Sequence, residues 1–131
     1  MKFTTGWSVS SPKMSEAIIT DEKRLLFALG LCARARKITV GVPMICDAMR
    51  SGGKSTPSLV LEASDTSENT HKRLSDKCAF YGVRHVRLSL DGDTLARAVG
   101  KRSAVAAVAI ADADFCRLAE QYLRFGQSDR V

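Results

Sequence analysis

Arg34, Arg36, Lys37, Arg50 and Lys54 place five positive charges in one short region of the chain, opposed by the single acid Asp47. Within it runs RKITVGVPMICDAMRSGGK, Arg36 to Lys54, with apolar residues at helical spacing, Gly41 ahead of them and Gly52 and Gly53 behind. The residue expected to cap this helix is Val42, which has no side-chain oxygen. Pro43 follows, and it fixes the first turn while removing one N–H. An uncapped helix end leaves N–H donors turned outward, and such an end accepts a phosphate oxygen or a nucleobase acceptor. Simple solvation of an exposed helix end fits the same residues. A second turn, AVGKRSAV, shows Lys101 and Arg102 between a helix end and an apolar strand. In isolation it is an ordinary solvated loop. With both turns at one end of a sheet, it becomes half of an anion-binding surface.

Catalytic chemistry finds little support. The chain holds no G-x-S-x-G, H-E-x-x-H, P-loop or G-x-G-x-x-G. Asp112 and Asp114 suit a helix N-cap and a first-turn acid better than a carboxylate dyad. Ser64 and Asp65, at a strand-to-helix turn, suit capping. The cysteines Cys32, Cys46, Cys78 and Cys116 form no CxxC pair, and each falls within an expected helix. They are expected as buried thiols in a reducing compartment. His71 and His85 stand apart from any cysteine, with His71 expected at the surface and His85 in a strand. No enzyme activity, metal or cofactor is expected.

The elements that must position these residues follow from periodicity. Asp21 and Glu22 open a helix with Leu25, Leu29 and Cys32 on one stripe, and Arg34 and Arg36 close it, as the helix dipole favours. Ile38 to Val40 is expected as a short strand. The next helix should bury Met44, Ile45, Ala48 and Met49. SLVLE, from Ser58 to Glu62, is a buried strand. Asp65 and Glu68 resemble a capping box ahead of a helix striped by Leu74, Cys78 and Tyr81 and ended by Gly82. Val83 to Leu88 is a strand, and Asp91 to Val99 a short helix closed by Gly100. SAVAAVAIA, from Ser103 to Ala111, is apolar on both faces, as a strand covered by helices on both sides would be. Asp112 caps a last helix with Phe115, Leu118, Ala119 and Tyr122 inward. The alternation predicts a single three-layer α/β/α sandwich around a mixed sheet of about four strands.

The chain has 131 residues, 45% hydrophobic and 26% charged, which suits one domain with a real core. Residues 1–20 are polar and aperiodic and are expected as a disordered arm or linker, with Trp7 in it. The domain is expected over 21–126 and a tail over 127–131. The first residues lack an apolar signal-peptide core and no segment suits a membrane span, so a cytoplasmic protein is expected. The net charge of +6 suits a nucleic-acid partner. Aromatic content is only 6%, and no aromatic is interleaved with the basic residues. That disfavours base stacking on single strands and favours structured RNA held by phosphate contacts and shape.

Three stretches carry a family likeness. LFALGLCARARKITVGVPMICDAMRSG resembles the front half of the kink-turn RNA-binding ribosomal protein superfamily of the L-seven-Ae/L-thirty-e type. LVLEASDTSENTHKRLSDKCAFYGV is similar to its bacterial YlxQ-like branch, and LARAVGKRSAVAAVAI to the family's loop and last central strand. The resemblance covers about Asp21 to Leu123 with the three stretches in order. It implies a non-enzymatic binder of bent, internally looped RNA. The RNA face it implies comprises Lys37 with Gly41, Val42, Pro43 and Met44, then Ser64 and Asp65, then Lys101, Arg102, Ser103 and Ala104. Arg36 joins these on the charge pattern. Members of the family carry polar or acidic residues after the glycine and a lysine one turn on, with which they read sheared G·A pairs. Here Val42, Pro43, Met44 and Asp47 stand in those places. The expected function is therefore binding of structured RNA, kink-turn-like or ribosomal, by a monomer with no small-molecule substrate. Two alternatives keep the fold: a protein-interaction module that has lost RNA binding, and an accessory RNA-binding domain of an RNA-modifying enzyme.

Overall fold

Asp21 caps the first helix: its carboxylate accepts the Arg24 N–H at 3.2 Å. The helix, α1 (Glu22–Arg34), buries Leu25, Ala28, Leu29 and Cys32, the stripe that the spacing predicts. The computed structural model describes residues 15–125, so Trp7, the rest of 1–14 and the expected tail 127–131 lie outside the described residues. After α1 come β2 (Ile38–Val40), α2 (Val42–Ser51), a single 3-10 turn (Gly53–Ser55) and β3 (Leu59–Glu62). Then follow α3 (Glu68–Tyr81), β4 (Arg84–Arg87), α4 (Gly92–Val99), β5 (Ala107–Ile110) and α5 (Ala113–Glu120).

The four expected strands lie side by side in one mixed sheet, with β2 at its edge, β4 parallel to β3, and β5 antiparallel to both β3 and β2. The expected arm needs correction at its end. Ser15–Ile19 is a strand, β1, which pairs parallel with β4 and antiparallel with a further strand, β6 (Leu123–Phe125). Among the described residues the sheet is therefore six-stranded, in the order β2-β5-β3-β4-β1-β6. Neither added strand carries a strong local pattern. Each is stabilised by backbone partners far away in sequence, which no short window reveals.

Two cores flank the sheet, because successive strand residues face opposite sides. Leu59, Leu61, Val108 and Ile110 pack with α1, α4 and α5 residues such as Leu25, Leu29 and Leu95. Val60, Ala107 and Ala109 pack with Val42, Ile45, Met49, Leu74 and Cys78 of α2 and α3. Glu62 follows the same alternation and so points toward α2 and α3, where it is fully buried.

Several local expectations shift. Gly41, not Val42, is the N-cap of α2, and the buried stripe is Val42, Ile45, Cys46 and Met49. Starting the helix at Val42 rotates Met44 out, leaving it 59% exposed. Ser67, not Asp65, caps α3 by accepting the Thr70 N–H. Tyr81 is exposed at the end of α3. The last central strand begins only at Ala107, because the Val105 N–H is engaged by the Gly92 carbonyl at 3.0 Å rather than by a sheet neighbour. His71, expected at the surface, is half-buried. All four cysteines are buried and free. Among the described residues no helix is long and apolar enough to cross a membrane.

Candidate nucleic-acid interface

Three segments far apart in sequence meet at one end of the sheet. The Gly41 N–H donates to the Ala107 carbonyl at 3.0 Å. The Ala63 N–H donates to the Ala106 carbonyl at 2.8 Å. The Thr66 hydroxyl bonds the Ala63 carbonyl at 2.9 Å and lies 3.4 Å from the Ala106 carbonyl. Two consecutive carbonyls at the start of β5 thus tie together the front of α2, the turn after β3 and the loop before β5.

At the first segment Gly41 has φ 95° and ψ 141°, a conformation that side-chain-bearing residues avoid. It turns the chain sharply from β2 into α2. No side chain caps this end. The helical ladder begins with the Ile45 N–H on the Gly41 carbonyl at 3.0 Å. The Val42 and Met44 N–H groups precede that ladder, and Pro43 has none. The uncapped end read from the sequence is therefore present, one residue earlier than expected. Pro43 and Met44 are exposed beside it, whereas the Val42 side chain is turned into the core. Asp47, one turn further on, pairs with Arg50, and both side chains are more than half exposed.

Asp65 holds the second and third segments together. Its carboxylate accepts the Gly92 N–H at 3.0 Å, which couples the turn after β3 to the first turn of α4. Gly92 in turn accepts from Val105. The Ser64 N–H donates to Leu90 at 2.8 Å, and the Arg87 guanidinium donates to the Ser64 carbonyl at 3.1 Å. A cleft of about 200 Å³ opens where these pieces meet, lined by Asp65, Thr66, Ser67 and Gly92 on one side and Ala104, Val105 and Ala106 on the other. Lys101, Arg102, Ser103 and Ala104 are all exposed on this loop. Gly100 ends α4 in the left-handed conformation and lets the Lys101 N–H return to Ala96 at 2.8 Å, which fixes the start of the loop.

Arg36 and Lys37 do not join this convergence. β2 runs antiparallel to β5, with Ile38 opposite Ile110 and Val40 opposite Val108. Gly41 therefore sits at the Ala107 end, and Lys37 at the Ile110 end. The four residue steps from one to the other span about 13 Å of extended chain. Arg36 and Lys37 instead line a separate depression of about 480 Å³ with Lys54 and Ala111 to Ala113. The basic residues are thus divided between two ends of the sheet, with Arg36, Lys37 and Lys54 at one end and Lys101 and Arg102 on the loop at the other. Thr66, Ser67 and Gly92 join the lining although the sequence analysis did not single them out. For Thr66 and Ser67 the only signal is the S/T-rich turn, which capping alone would explain, and Gly92 offers none.

The family model for the ribosomal protein L7Ae/L30e/S12e/Gadd45 family matches residues 23–119. The RNA-binding protein YlxQ of Bacillus subtilis (strain 168) is 36% identical over 87 residues, which is 66% of this chain and 82% of that relative. Among solved structures, a protein of unknown function from Bacillus halodurans is similar with a TM-score of 0.66 and 33% identity, over 76% of this chain and 95% of that one. The Giardia lamblia 15.5kD RNA binding protein shares the fold, with a TM-score of 0.59 at 18% identity over 77% of this chain and 86% of its own. The match over residues 23–119 takes in every segment of the convergent surface, and this chain belongs to the ribosomal protein L7Ae/L30e/S12e/Gadd45 family.

Proposed function

We propose that the protein binds structured RNA, without catalysis, as a monomeric cytoplasmic protein. The binding surface runs over Gly41 to Met44, Ser64 and Asp65, and Lys101 to Ala104. The observation that carries this reading is the hydrogen-bonded convergence of three segments on Ala106 and Ala107, which sets an uncapped helix end beside a basic loop. The α2 end offers N–H donors to phosphate or base acceptors, and Lys101 and Arg102 supply charge. The name of its Bacillus subtilis relative, an RNA-binding protein, agrees with that chemistry.

Kink-turn-like RNA is the first candidate ligand, with discrimination weaker than polar reading residues would give. Val42 faces the core, Pro43 lacks an N–H, and Met44 presents a thioether, so at least one base-edge contact is absent. Such contacts are worth about 1–3 kcal/mol each. The test is a pair of titrations at fixed salt, with a kink-turn RNA and with the same RNA after its G·A pairs are destroyed. A preference of about tenfold, or about 1.4 kcal/mol, is expected. Absence of binding to both RNAs at micromolar protein would overturn the RNA reading. A thousandfold preference would show that backbone groups at Gly41 and Val42 read the RNA, and would overturn the weight placed on the missing side chains.

A further inference from the structure

Beneath α3, just behind the turn after β3, three side chains meet that the RNA reading does not use. Glu62 is the last residue of β3 and is fully buried. One carboxylate oxygen lies 2.6 Å from His85 Nε2. His71 Nδ1 lies 2.9 Å from that oxygen and 2.8 Å from the other. His85 comes from the middle of β4 and is 4% exposed, whereas the His71 side chain, on the second turn of α3, is 20% exposed and opens toward solvent. The three ligand atoms all lie within 4.8 Å of one another. The nearest permanent cation, Arg87, stands 4.0 Å away at Nε.

A carboxylate removed from water requires strong partners. Two imidazoles provide them as hydrogen-bond donors, which is a sufficient but incomplete arrangement. His85 Nδ1 is buried without a hydrogen-bond partner among the described residues. The Glu62 contact holds the proton on Nε2, which leaves Nδ1 a bare acceptor. The donor set, two imidazole nitrogens and one carboxylate from three rigid elements, matches a three-ligand transition-metal site with one open position. Imidazole disfavours calcium and magnesium, which take oxygen ligands.

We propose that Glu62, His71 and His85 bind one divalent transition-metal ion, with zinc the first candidate. His71 Nδ1, His85 Nε2 and a Glu62 oxygen are the ligands, and the exposed edge of His71 is the entry path. Ligands about 2.0–2.1 Å from a tetrahedral ion stand about 3.3 Å apart, so the hydrogen-bonded triad opens by about half an ångström on loading. Each imidazole then turns a bare nitrogen to the ion and carries its proton on the other nitrogen. The site does not depend on RNA binding, and its failure leaves the RNA reading intact.

The test uses the full chain without a histidine tag, stripped with a chelator and dialysed against micromolar zinc. Bound metal is measured by elemental analysis beside His71→Ala and Glu62→Gln. One equivalent is expected in the unmodified chain and less than a tenth of it in His71→Ala. His71→Ala is the primary comparison because that side chain borders solvent, and circular dichroism verifies that the variant is folded. Cobalt should give visible ligand-field bands without a thiolate charge-transfer band, which separates this site from the four cysteines. Zinc should raise the melting temperature of the unmodified chain by about 5 °C and leave that of His71→Ala unmoved. No retained zinc in the unmodified chain, or equal zinc in both, would reduce the cluster to a hydrogen-bond network and overturn the proposal.

Discussion

The division of the basic residues between the two ends of the sheet makes the salt dependence of RNA binding a sharp test. Lys101 and Arg102 are exposed on the loop that meets the open end of α2. If both contact phosphate, replacing both with Ala should reduce the slope of log affinity against log salt by about 1.4–1.8, at about 0.7–0.9 per contact. Over a fourfold rise in salt the unmodified protein should then lose about tenfold more affinity than the variant. Arg36 and Lys37 provide the control. They lie about 13 Å of extended chain from Gly41, beyond the Debye length of about 8 Å at physiological salt. Their double Ala variant should change the slope by less than about 0.5. All four side chains are exposed, so neither variant should move the melting temperature by more than a few degrees. Fluorescence anisotropy titrations with one structured RNA at four or five salt concentrations give the slopes. Equal losses from the two double variants would refute the reasoning, because the RNA would then have to extend the length of β2.

Three other predictions follow from particular contacts. A Cβ on Gly92 would stand 3.1 Å from the Val105 carbonyl oxygen and 3.2 Å from the Ala104 Cβ, so Gly92→Ala should displace that loop; urea unfolding should show a loss of about 1–2 kcal/mol, with RNA affinity down several-fold although no charge has changed. Asp47→Lys removes an exposed pair with Arg50, at a loss below about 0.5 kcal/mol, and adds a phosphate contact; affinities for RNAs with intact and destroyed G·A pairs should rise by the same factor, whereas a rise confined to one would show base reading. Burial pushes the Cys32 and Cys116 thiols up to about 11 and Cys78 up to about 12, from 9.0. The unfolded thiols ionise first, so their contribution to stability is whole below about pH 9 and is lost as pH rises through about 11 for Cys32 and Cys116 and about 12 for Cys78; pH-dependent unfolding and slow alkylation of the folded chain should both show it.

Local signals in the sequence determined most of the elements. The Ile38–Val40 strand, the α1 stripe of Leu25, Leu29 and Cys32, the Asp21, Asp91 and Asp112 caps and the terminating Gly52, Gly82 and Gly100 are consequences of neighbouring residues. Periodicity and capping chemistry act within a few residues, so sequence alone resolves them. The uncapped front of α2 belongs to the same class, because neither Gly41 nor Val42 can supply a capping oxygen. Tertiary structure decided what distant backbone groups share. It recruited Ser15–Ile19 and Leu123–Phe125 into the sheet, since a strand edge is satisfied by any partner that the fold brings alongside. It took Asp65 from the expected cap and gave it to Gly92, while Ser67 capped α3 instead. The antiparallel register of β2 on β5 separated Lys37 from Gly41, although only three residues divide them in the chain. The same alternation buried Glu62 against His71 and His85, nine and 23 residues away. Sequence spacing carries no signal for such a cluster, because its geometry is set by strand pairing and by the packing of α3 on the sheet.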